Sequence, residues 1–304
     1  MVTYCPFDIE SDPSRFKLTT RAIETRYGSV AARISKNRSS HIATLYLHGV
    51  GADWTTWSPI LRAAAELRLE THDQIFIDLP GFGDSENKLG SLQISDVGAM
   101  LLSIVSDLGY SRVRIVGHSM GGFLTLDMAS RHPEVIESIH LVAGPYFSIL
   151  KSIQHPFLSF GYSPTVAATF GTQYLLSRTG EFGTIFFKAL YHLGIFRLLL
   201  FPFASHPFRL KPLTVKDLCY QQNPRALIQT AANADGYDAN KQWGLIKCPI
   251  FAVFGMKDRL VPPADMRRLI RCQPNAVCTM LDDVSHLLHI EQPFEVLTDL
   301  RLWA

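Results

Sequence analysis

Cysteine is scarce and scattered in this sequence, which argues against a disulfide scaffold and a structural zinc site. The 304 residues contain five cysteines, and no two of them form a Cys-x-x-Cys pair. Disulfide frameworks and zinc sites use paired, closely spaced cysteines. The first ten residues also lack a basic region followed by an apolar run, the signature of a secretory signal. We therefore expect a cytoplasmic protein with reduced cysteines.

The chain also lacks the common cofactor, metal and nucleic-acid motifs. It has no His-Glu-x-x-His sequence, no dinucleotide-binding glycine pattern and no phosphate-binding loop, so we expect no cofactor and no metal ion. Its net charge is +2 with both signs dispersed, so we expect no nucleic-acid partner. The most apolar stretch, 184–203, is interrupted by Lys188, Arg197 and Pro202, which disfavours a membrane-spanning helix.

The most informative segment is a β-rich run that breaks into a serine bracketed by glycines. Residues 112–116 predict a strand, and Gly117-His118-Ser119-Met120-Gly121 follows directly. The next residues suit a buried helix that ends before Pro133. A serine on so sharp a strand-to-helix turn has strained backbone and a projecting hydroxyl, and the glycines avoid collisions on either side. We expect Ser119 to be a nucleophile at a helix N-terminus, where developing negative charge is favoured.

Strands and helices alternate along most of the chain, which has enough apolar residues (47%) for one large domain. Residues 1–20 predict a loosely structured arm, and 22–34 a hairpin around Gly28. Further strands are predicted at 42–47, 74–78, 136–142, 249–254 and 276–281, and helices at 57–69, 91–108, 263–271 and from about 291. This order implies a mostly parallel sheet covered by helices on both faces.

The alternation stops at Tyr146, and the segment that follows predicts a helical insertion. Helix-like pieces lie near 166–178, 181–200 and 212–222. We therefore expect an α/β core formed by 1–145 and 226–304, with the insertion at 146–225 lying over the sheet as a cap.

The insertion is rich in aromatic residues, which predict an apolar pocket lining above the serine, although some must form the insertion's own core. They are Phe147, Phe157, Phe160, Tyr162, Phe170, Tyr174, Phe182, Phe186, Phe187, Tyr191, Phe196, Phe201, Phe203 and Phe208. The cations Lys188, Arg197, Arg209 and Lys211 offer another interpretation, in which the insertion rests on a lipid surface.

Acyl transfer by a serine needs a base and an acid that orients the base. Asp258 follows the strand at 249–254, and His286 follows the last strand, so both lie where a parallel sheet collects functional groups. We expect Asp258 to be the acid and His286 the base. The alternatives are His289 for the base and four other aspartates for the acid, namely Asp235, Asp238, Asp282 and Asp283.

The tetrahedral oxyanion of such a reaction needs hydrogen-bond donors. We expect the backbone N–H of Met120, which follows the nucleophile, and that of Val50, in the loop after the strand at 42–47. Gly49 and Gly51 would let this loop approach a substrate closely. His48 is expected to have a structural role.

Together these motifs resemble those of the α/β-hydrolase superfamily, of the cap-bearing kind, over roughly 22–145 and 226–303. The motifs are His48-Gly49-Val50-Gly51, 78–85 (Asp-Leu-Pro-Gly-Phe-Gly-Asp-Ser), 117–122, Gly255-Met-Lys-Asp258, and His286 with Glu291 and Pro293. The resemblance implies an α/β-hydrolase fold, a mostly parallel sheet flanked by helices with an inserted helical cap, and a Ser119–His286–Asp258 triad.

The superfamily includes esterases, lipases, lactonases, carbon–carbon bond hydrolases, dehalogenases and epoxide hydrolases. Ser119 in place of aspartate disfavours the last two, and His118 stands where carbon–carbon hydrolases often carry asparagine. We therefore expect a serine-dependent hydrolase of a small apolar carboxylic ester, with a lipophilic acyl or aryl group or a lactone ring. The alternatives are a carbon–carbon bond hydrolase of vinylogous diketones and a ligand receptor with residual hydrolysis. The oligomeric state stays open.

Overall fold

The computed structural model is built around one eight-stranded sheet. It describes residues 3–71, 73–87, 93–144, 146–154, 164–180, 182–234 and 236–302. Of the residues considered above, Pro145, Phe157, Phe160, Tyr162 and Asp235 lie outside the described residues.

The sheet is parallel apart from its first edge. The strands are β1 (Leu18–Thr25), β2 (Gly28–Ser35), β3 (Ile42–Leu47), β4 (Gln74–Ile77), β5 (Arg112–His118), β6 (Ile136–Val142), β7 (Ile250–Gly255) and β8 (Val277–Leu281). Their spatial order is β1-β2-β4-β3-β5-β6-β7-β8, in which β1–β2 and β2–β4 pair antiparallel and every other pair is parallel. The predicted fold class is confirmed.

Helices cover both faces of this sheet. They are α1 (Ser58–Glu66), α2 (Ile94–Asp107), α3 (Met120–Arg131), α4 (Phe147–Gln154), α5 (Pro164–Ser177), α6 (Phe182–His192), α7 (Phe196–Leu199), α8 (Pro212–Tyr220), α9 (Pro224–Ala232), α10 (Ala239–Trp243), α11 (Pro263–Cys272), α12 (Leu288–Glu291) and α13 (Pro293–Asp299). One core cluster packs α2, α3, α10 and α11 against one face of the sheet. A second packs α1, α12 and α13 against the other. The central strands are buried on both faces, which explains their continuous apolar sequences.

The register of the central strands brings the candidate loops together. Leu47, at the end of β3, lies opposite Gly117 of β5, and His118 lies opposite Val142 of β6. Because parallel strands end at the same edge, the loops that follow β3, β5, β7 and β8 converge there.

The described part of the N-terminal arm, from residue 3, is packed, so the prediction of a loosely structured arm at 1–20 was wrong there. Tyr4, Cys5, Phe7 and Ile9 are buried. The Cys5 N–H donates a hydrogen bond to the Glu291 carbonyl over 2.7 Å. The apolar side chains in this short segment have partners that are distant in sequence, which a local pattern does not reveal.

Between β6 and β7, every regular element among the described residues is a helix. Helices α6 to α8 share an apolar cluster with the N-terminal arm and with Leu287 and Ile290. Helix α9 begins at Pro224, spans the predicted boundary at 225, and packs against α5. No helix among the described residues is long and apolar enough to cross a membrane.

Candidate active site

Ser119 lies on the sharp turn between β5 and α3. Its φ of 50° and ψ of −123° place it in a backbone conformation that L-residues rarely adopt. The turn is tight because α3 begins directly against the end of β3. A Cβ atom on Gly121 would lie 2.1 Å from the carbonyl oxygen of Leu47, so this position requires glycine.

The side chains of Ser119, His286 and Asp258 form one hydrogen-bonded chain. The Ser119 hydroxyl lies 2.9 Å from Nε2 of His286, and Nδ1 of His286 lies 2.8 Å from Oδ2 of Asp258. All three residues are buried, with exposed fractions of 7%, 3% and 5% in that order. With the ring proton on Nδ1, the imidazole donates to Asp258 and accepts from Ser119, which is the arrangement a general base requires.

The carboxylate of Asp258 is fixed by its own loop. Its Oδ1 accepts hydrogen bonds from the backbone N–H groups of Leu260 (2.8 Å) and Val261 (2.9 Å). The Ser285 hydroxyl donates to the Lys257 carbonyl over 3.2 Å, which joins the loop of the acid to the loop of the base. These contacts keep Oδ2 directed at His286.

The alternative site residues have other partners. The Nε2 atom of His289 lies 2.7 Å from the Thr56 hydroxyl. Asp238 accepts from the Lys241 N–H at the start of α10, and Asp283 pairs with Lys257 and His206. Asp282 is exposed on the loop after β8. It is therefore His286 and Asp258 that the structure brings to Ser119.

Two further histidines lie behind His286: His118, for which the sequence predicted no role in the site, and His289, the alternative base. The His118 ring lies 5.1 Å from that of His286 and 4.3 Å from that of His289. The Nε2–H of His118 donates to the His286 carbonyl over 3.0 Å. Burial, and then the neighbouring imidazoles, hold the pKa of His118 well below 6.5 and lower that of His289 to about 3. Both rings are therefore neutral supports for His286.

Of the two backbone N–H groups expected to bind an oxyanion, that of Met120 directly follows the serine and that of Val50 lies on a neighbouring loop. Among the described residues, neither the N–H of Val50 nor that of Met120 has an acceptor. The loop carrying Val50 is close to the serine, because a Cβ atom on Gly49 would lie 2.9 Å from Cβ of Ser119.

His48 fixes the start of this loop. It accepts from the Leu79 N–H over 2.9 Å and lies 2.7 Å from the Gly49 carbonyl. These contacts agree with the structural role expected for His48.

The insertion reaches the base through two contacts. The carbonyl of Phe203 accepts from the N–H of Leu287, which follows His286, over 3.0 Å, and the Phe203 ring lies 6.3 Å from that of His286. Buried Glu291 accepts from the N–H groups of Ser205 (3.1 Å) and Ser285 (3.2 Å). Burial raises the pKa of Glu291 to about 7.

A pair of carboxyl groups forms a second contact between the core and the insertion. Asp53 follows the loop at 48–51, which we call the oxyanion loop after the role expected for Val50. Asp217 lies on α8, and the Thr55 hydroxyl is within 3.2 Å of both carboxyl groups. Burial, and then their mutual repulsion, raises the pKa of Asp53 to about 7, and burial raises that of Asp217 to about 6. Sequence reasoning missed this pair because its members are far apart in the chain.

A polar cleft of about 380 Å³ lies next to this contact, between the loop after β4 and the insertion. Its lining includes Gly81, Phe82, Gln222 and Arg225. A Cβ atom on Gly51 would lie 2.9 Å from the Gln222 amide, so the cleft adjoins the oxyanion loop. The described residues contain no group of three or more His, Cys, Asp or Glu side chains that could hold a metal ion.

The described aromatic residues of the insertion divide between buried and exposed positions. Phe147, Phe187 and Phe196 are buried, whereas Phe182 and Phe208 are among the exposed ones. Of the described aromatics, Phe203 is the one placed beside the candidate base. The apolar pocket lining therefore stays a prediction.

A family model described as alpha/beta hydrolase fold matches residues 45–293. Over 103 residues, the sequence is 33% identical to the 2-hydroxy-6-oxononadienedioate/2-hydroxy-6-oxononatrienedioate hydrolase of Burkholderia vietnamiensis, which is 34% of this chain and 36% of that protein. Matches to curated relatives span between 16% and 36% of those proteins' lengths.

Solved structures resemble most of the chain. A thermophilic esterase from Thermogutta terrifontis superposes with a TM-score of 0.67 at 18% identity, covering 94% of this chain and 97% of the esterase. The enol-lactonase from Burkholderia xenovorans superposes with a TM-score of 0.69 at 19% identity, covering 92% and 99%. At these identities the likeness concerns the fold alone.

Proposed function

Because the chain belongs to the α/β-hydrolase fold family, we propose that it is a serine-dependent hydrolase of carboxylic esters. The observation that carries this proposal is the buried hydrogen-bonded chain from Ser119 through His286 to Asp258. We also propose that residues 146–225 form a cap over the carboxyl edge of the sheet.

In the first half of the reaction, the Ser119 Oγ attacks the ester carbonyl carbon while Nε2 of His286 takes the hydroxyl proton. Asp258 holds the ring in the required tautomer and stabilises the imidazolium that forms. The tetrahedral intermediate collapses when the carbon–oxygen bond to the alcohol breaks, and His286 gives its proton to the departing alkoxide. An acyl-enzyme ester on Ser119 remains.

In the second half, a water molecule attacks the acyl-enzyme and His286 takes its proton. The second intermediate collapses when the bond between its carbon and the Ser119 Oγ breaks, which releases the acid, and His286 returns the proton to Ser119. The N–H groups of Val50 and Met120 bind the oxyanion in both steps. Each donor in such a site is worth about 3 kcal/mol of transition-state stabilisation.

Labelling with a fluorophosphonate tests the nucleophile. The wild-type protein should become labelled on Ser119, and Ser119→Ala should abolish labelling and lower kcat for p-nitrophenyl esters by at least about 10⁴-fold. Exposed Ser103 supplies the control, since Ser103→Ala should label as the wild type does. Full ester hydrolysis by the Ser119→Ala protein would refute the mechanism.

We propose a lipophilic acyl or aryl ester, or a lactone, as the substrate. The aromatic content of the insertion and the position of Phe203 beside His286 support this class. A series of p-nitrophenyl esters tests it, and kcat/KM should rise from acetyl to octanoyl. A steep preference for the acetyl ester would exclude a lipophilic acyl group.

A carbon–carbon bond hydrolase is the second candidate, favoured by the 33% identity to the Burkholderia vietnamiensis hydrolase. The same triad would then act on a vinylogous diketone. Bleaching of a coloured ring-fission product at a rate well above that of ester hydrolysis would favour this candidate. Its absence, with rapid ester hydrolysis, would favour the esterase.

A further inference from the structure

The insertion carries an unusual concentration of exposed apolar side chains. Among the described residues, thirteen of the eighteen large apolar side chains that are exposed lie between Tyr174 and Tyr220. Phe182 is 74% exposed and Leu193 is 70% exposed. We call the following set the outer face: Phe182, Ile185, Phe186, Leu193, Ile195, Leu198, Leu199, Phe201, Phe208 and Leu213.

Where the outer face crosses α6, the exposed apolar residues follow the helical repeat. Phe182, Ile185, Phe186 and Ala189 follow helical spacing, and all are exposed. The opposite side of α6 carries Phe187, which is buried in the cluster beneath. A helix on an ordinary protein surface would turn polar residues outward, whereas α6 is apolar on both sides. Such a surface marks an interaction site.

Positive charge predominates in the sequence that carries the outer face. From Phe182 to Lys216 the sequence contains no aspartate or glutamate, but five cations, namely Lys188, Arg197, Arg209, Lys211 and Lys216. Within the described part of the chain, none of the five forms an ion pair. One carboxylate lies at this face, since Asp8 accepts a hydrogen bond from the N–H of Leu213 over 3.2 Å. The surface therefore combines exposed apolar groups with an excess of positive charge, which fits a partner that is apolar and anionic.

The outer face lies close to the candidate active site. The rings of Phe201 and Phe208 are 6.1 Å apart. Phe203, two residues after Phe201, contacts the loop of His286 through its carbonyl. A partner seated on Phe201 and Phe208 would therefore be near the candidate base.

We propose that the outer face docks the protein on the surface of a bilayer that contains anionic lipid. The apolar side chains enter between the headgroups, and the surrounding lysines and arginines bind lipid phosphates. A second copy of the chain is a poorer occupant, because it would bring two cationic faces together. The docking does not depend on the proposed hydrolysis, so a Ser119→Ala protein should dock equally well.

Vesicle cosedimentation tests the apolar part of the proposal. The full chain should bind phosphatidylcholine vesicles containing phosphatidylglycerol. The combined substitution Phe182→Ser, Leu193→Ser and Phe208→Ser should weaken binding at least about tenfold. The matched control replaces three apolar residues that are exposed away from the insertion, with Leu67→Ser, Leu245→Ser and Met256→Ser, and should bind as the wild type does. Circular dichroism checks that both triple variants are folded.

A charge-reversal variant tests the electrostatic part. Lys211 and Lys216 are exposed, so Lys211→Glu with Lys216→Glu should weaken binding to phosphatidylglycerol vesicles and leave binding to pure phosphatidylcholine unchanged. The proposal is overturned if the wild-type protein does not sediment with anionic vesicles. It is also overturned if both triple variants bind alike. A third refuting result would come from sedimentation velocity, if the wild type dimerises through the outer face and does not bind vesicles.

Discussion

At the scale of single residues, Asp258 has the most completely determined position in the site. One oxygen accepts from two backbone N–H groups, and the other accepts from His286. This carboxylate therefore sets the proton position on the imidazole. Asparagine has the same shape but a different hydrogen-bonding capacity. Substituting it therefore tests whether activity needs the carboxylate itself or only a side chain in this position.

Asp258→Asn should lower kcat for a p-nitrophenyl ester by about 10³- to 10⁴-fold with little change in Tm. The amide can still accept from Leu260 and Val261, but its NH₂ group then faces Nδ1 of His286. The ring proton moves to Nε2, which can no longer accept from Ser119. Asp282→Asn, on the exposed loop after β8, is the matched control and should keep wild-type kcat. Similar rates in the two variants would contradict the assignment.

The sequence was sufficient to predict residues whose position follows from local order. Ser119, Asp258 and His286 each follow a strand, and the ends of parallel strands share one edge. His118, His289 and the pair Asp53–Asp217 were different, because their surroundings depend on contacts between distant parts of the chain. Burial, which shifts their pKa values, has no signature in a single segment.

At the scale of elements, the turn from β5 to α3 depends on how closely α3 approaches β3. Gly121 meets the end of β3 with no room for a side chain, whereas Gly171, on the exposed side of α5, has no atom within 4 Å of an added Cβ. Replacing each of these two helical glycines with alanine should therefore change protein stability in opposite directions.

Gly121→Ala should lower the free energy of unfolding by about 3 kcal/mol or more, because Leu47 must move to admit the methyl group. Gly171→Ala should stabilise its helix by about 0.5–1 kcal/mol, because alanine restricts the unfolded chain and favours helix. Urea denaturation measures the first effect, and amide hydrogen exchange in α5 measures the second. A loss of stability in both variants would contradict the packing described.

The contact between α8 and the oxyanion loop should depend on pH. The pKa values of Asp53 and Asp217 are raised by burial to about 7 and about 6, so the folded protein binds these protons more tightly than the unfolded chain does. The resulting stability is fully present below the ordinary pKa of 3.8 and is lost as pH rises through the raised values. Between about pH 5 and about pH 8, the free energy of unfolding should thus fall by about 1–3 kcal/mol more in the wild type than in Asp217→Asn.

Thermal unfolding of the two proteins across this range measures that difference, and other titrating groups cancel in the comparison. Asp107→Asn, at an exposed position on α2, should follow the wild-type curve. Parallel curves for Asp217→Asn and the wild type would show that the carboxyl pair does not control the contact.

At the scale of the whole molecule, the fold was largely predictable and its outer parts were not. The alternation of strands and helices predicted the parallel sheet that the structure contains, since buried parallel strands have continuous apolar sequences. The N-terminal arm was misjudged because Tyr4, Cys5 and Ile9 bury against the insertion and the loop after His286. The exposure of α6 was equally hidden, since an apolar sequence does not reveal which side meets solvent.

The arm should therefore stabilise the site as well as the fold. Ile9→Ala should cost about 2–5 kcal/mol of unfolding free energy, because the cavity would open among side chains of the arm, the insertion and the loop after His286. Ile270→Ala, at an exposed position on α11, is the control and should cost little. Chemical denaturation measures both, and equal costs would show that the arm is not part of the core.

The imidazole of His286, the proposed base, is held to the insertion on both sides along the chain. Leu287, which follows it, donates to the carbonyl of Phe203, and Ser285, which precedes it, is joined to Ser205 through Glu291. Moving the whole insertion as one rigid unit would therefore displace His286 and break its hydrogen bond to Ser119. Opening of the proposed cap that keeps the Ser119–His286 hydrogen bond intact would move the helices before Phe203 and leave 203–205 in place.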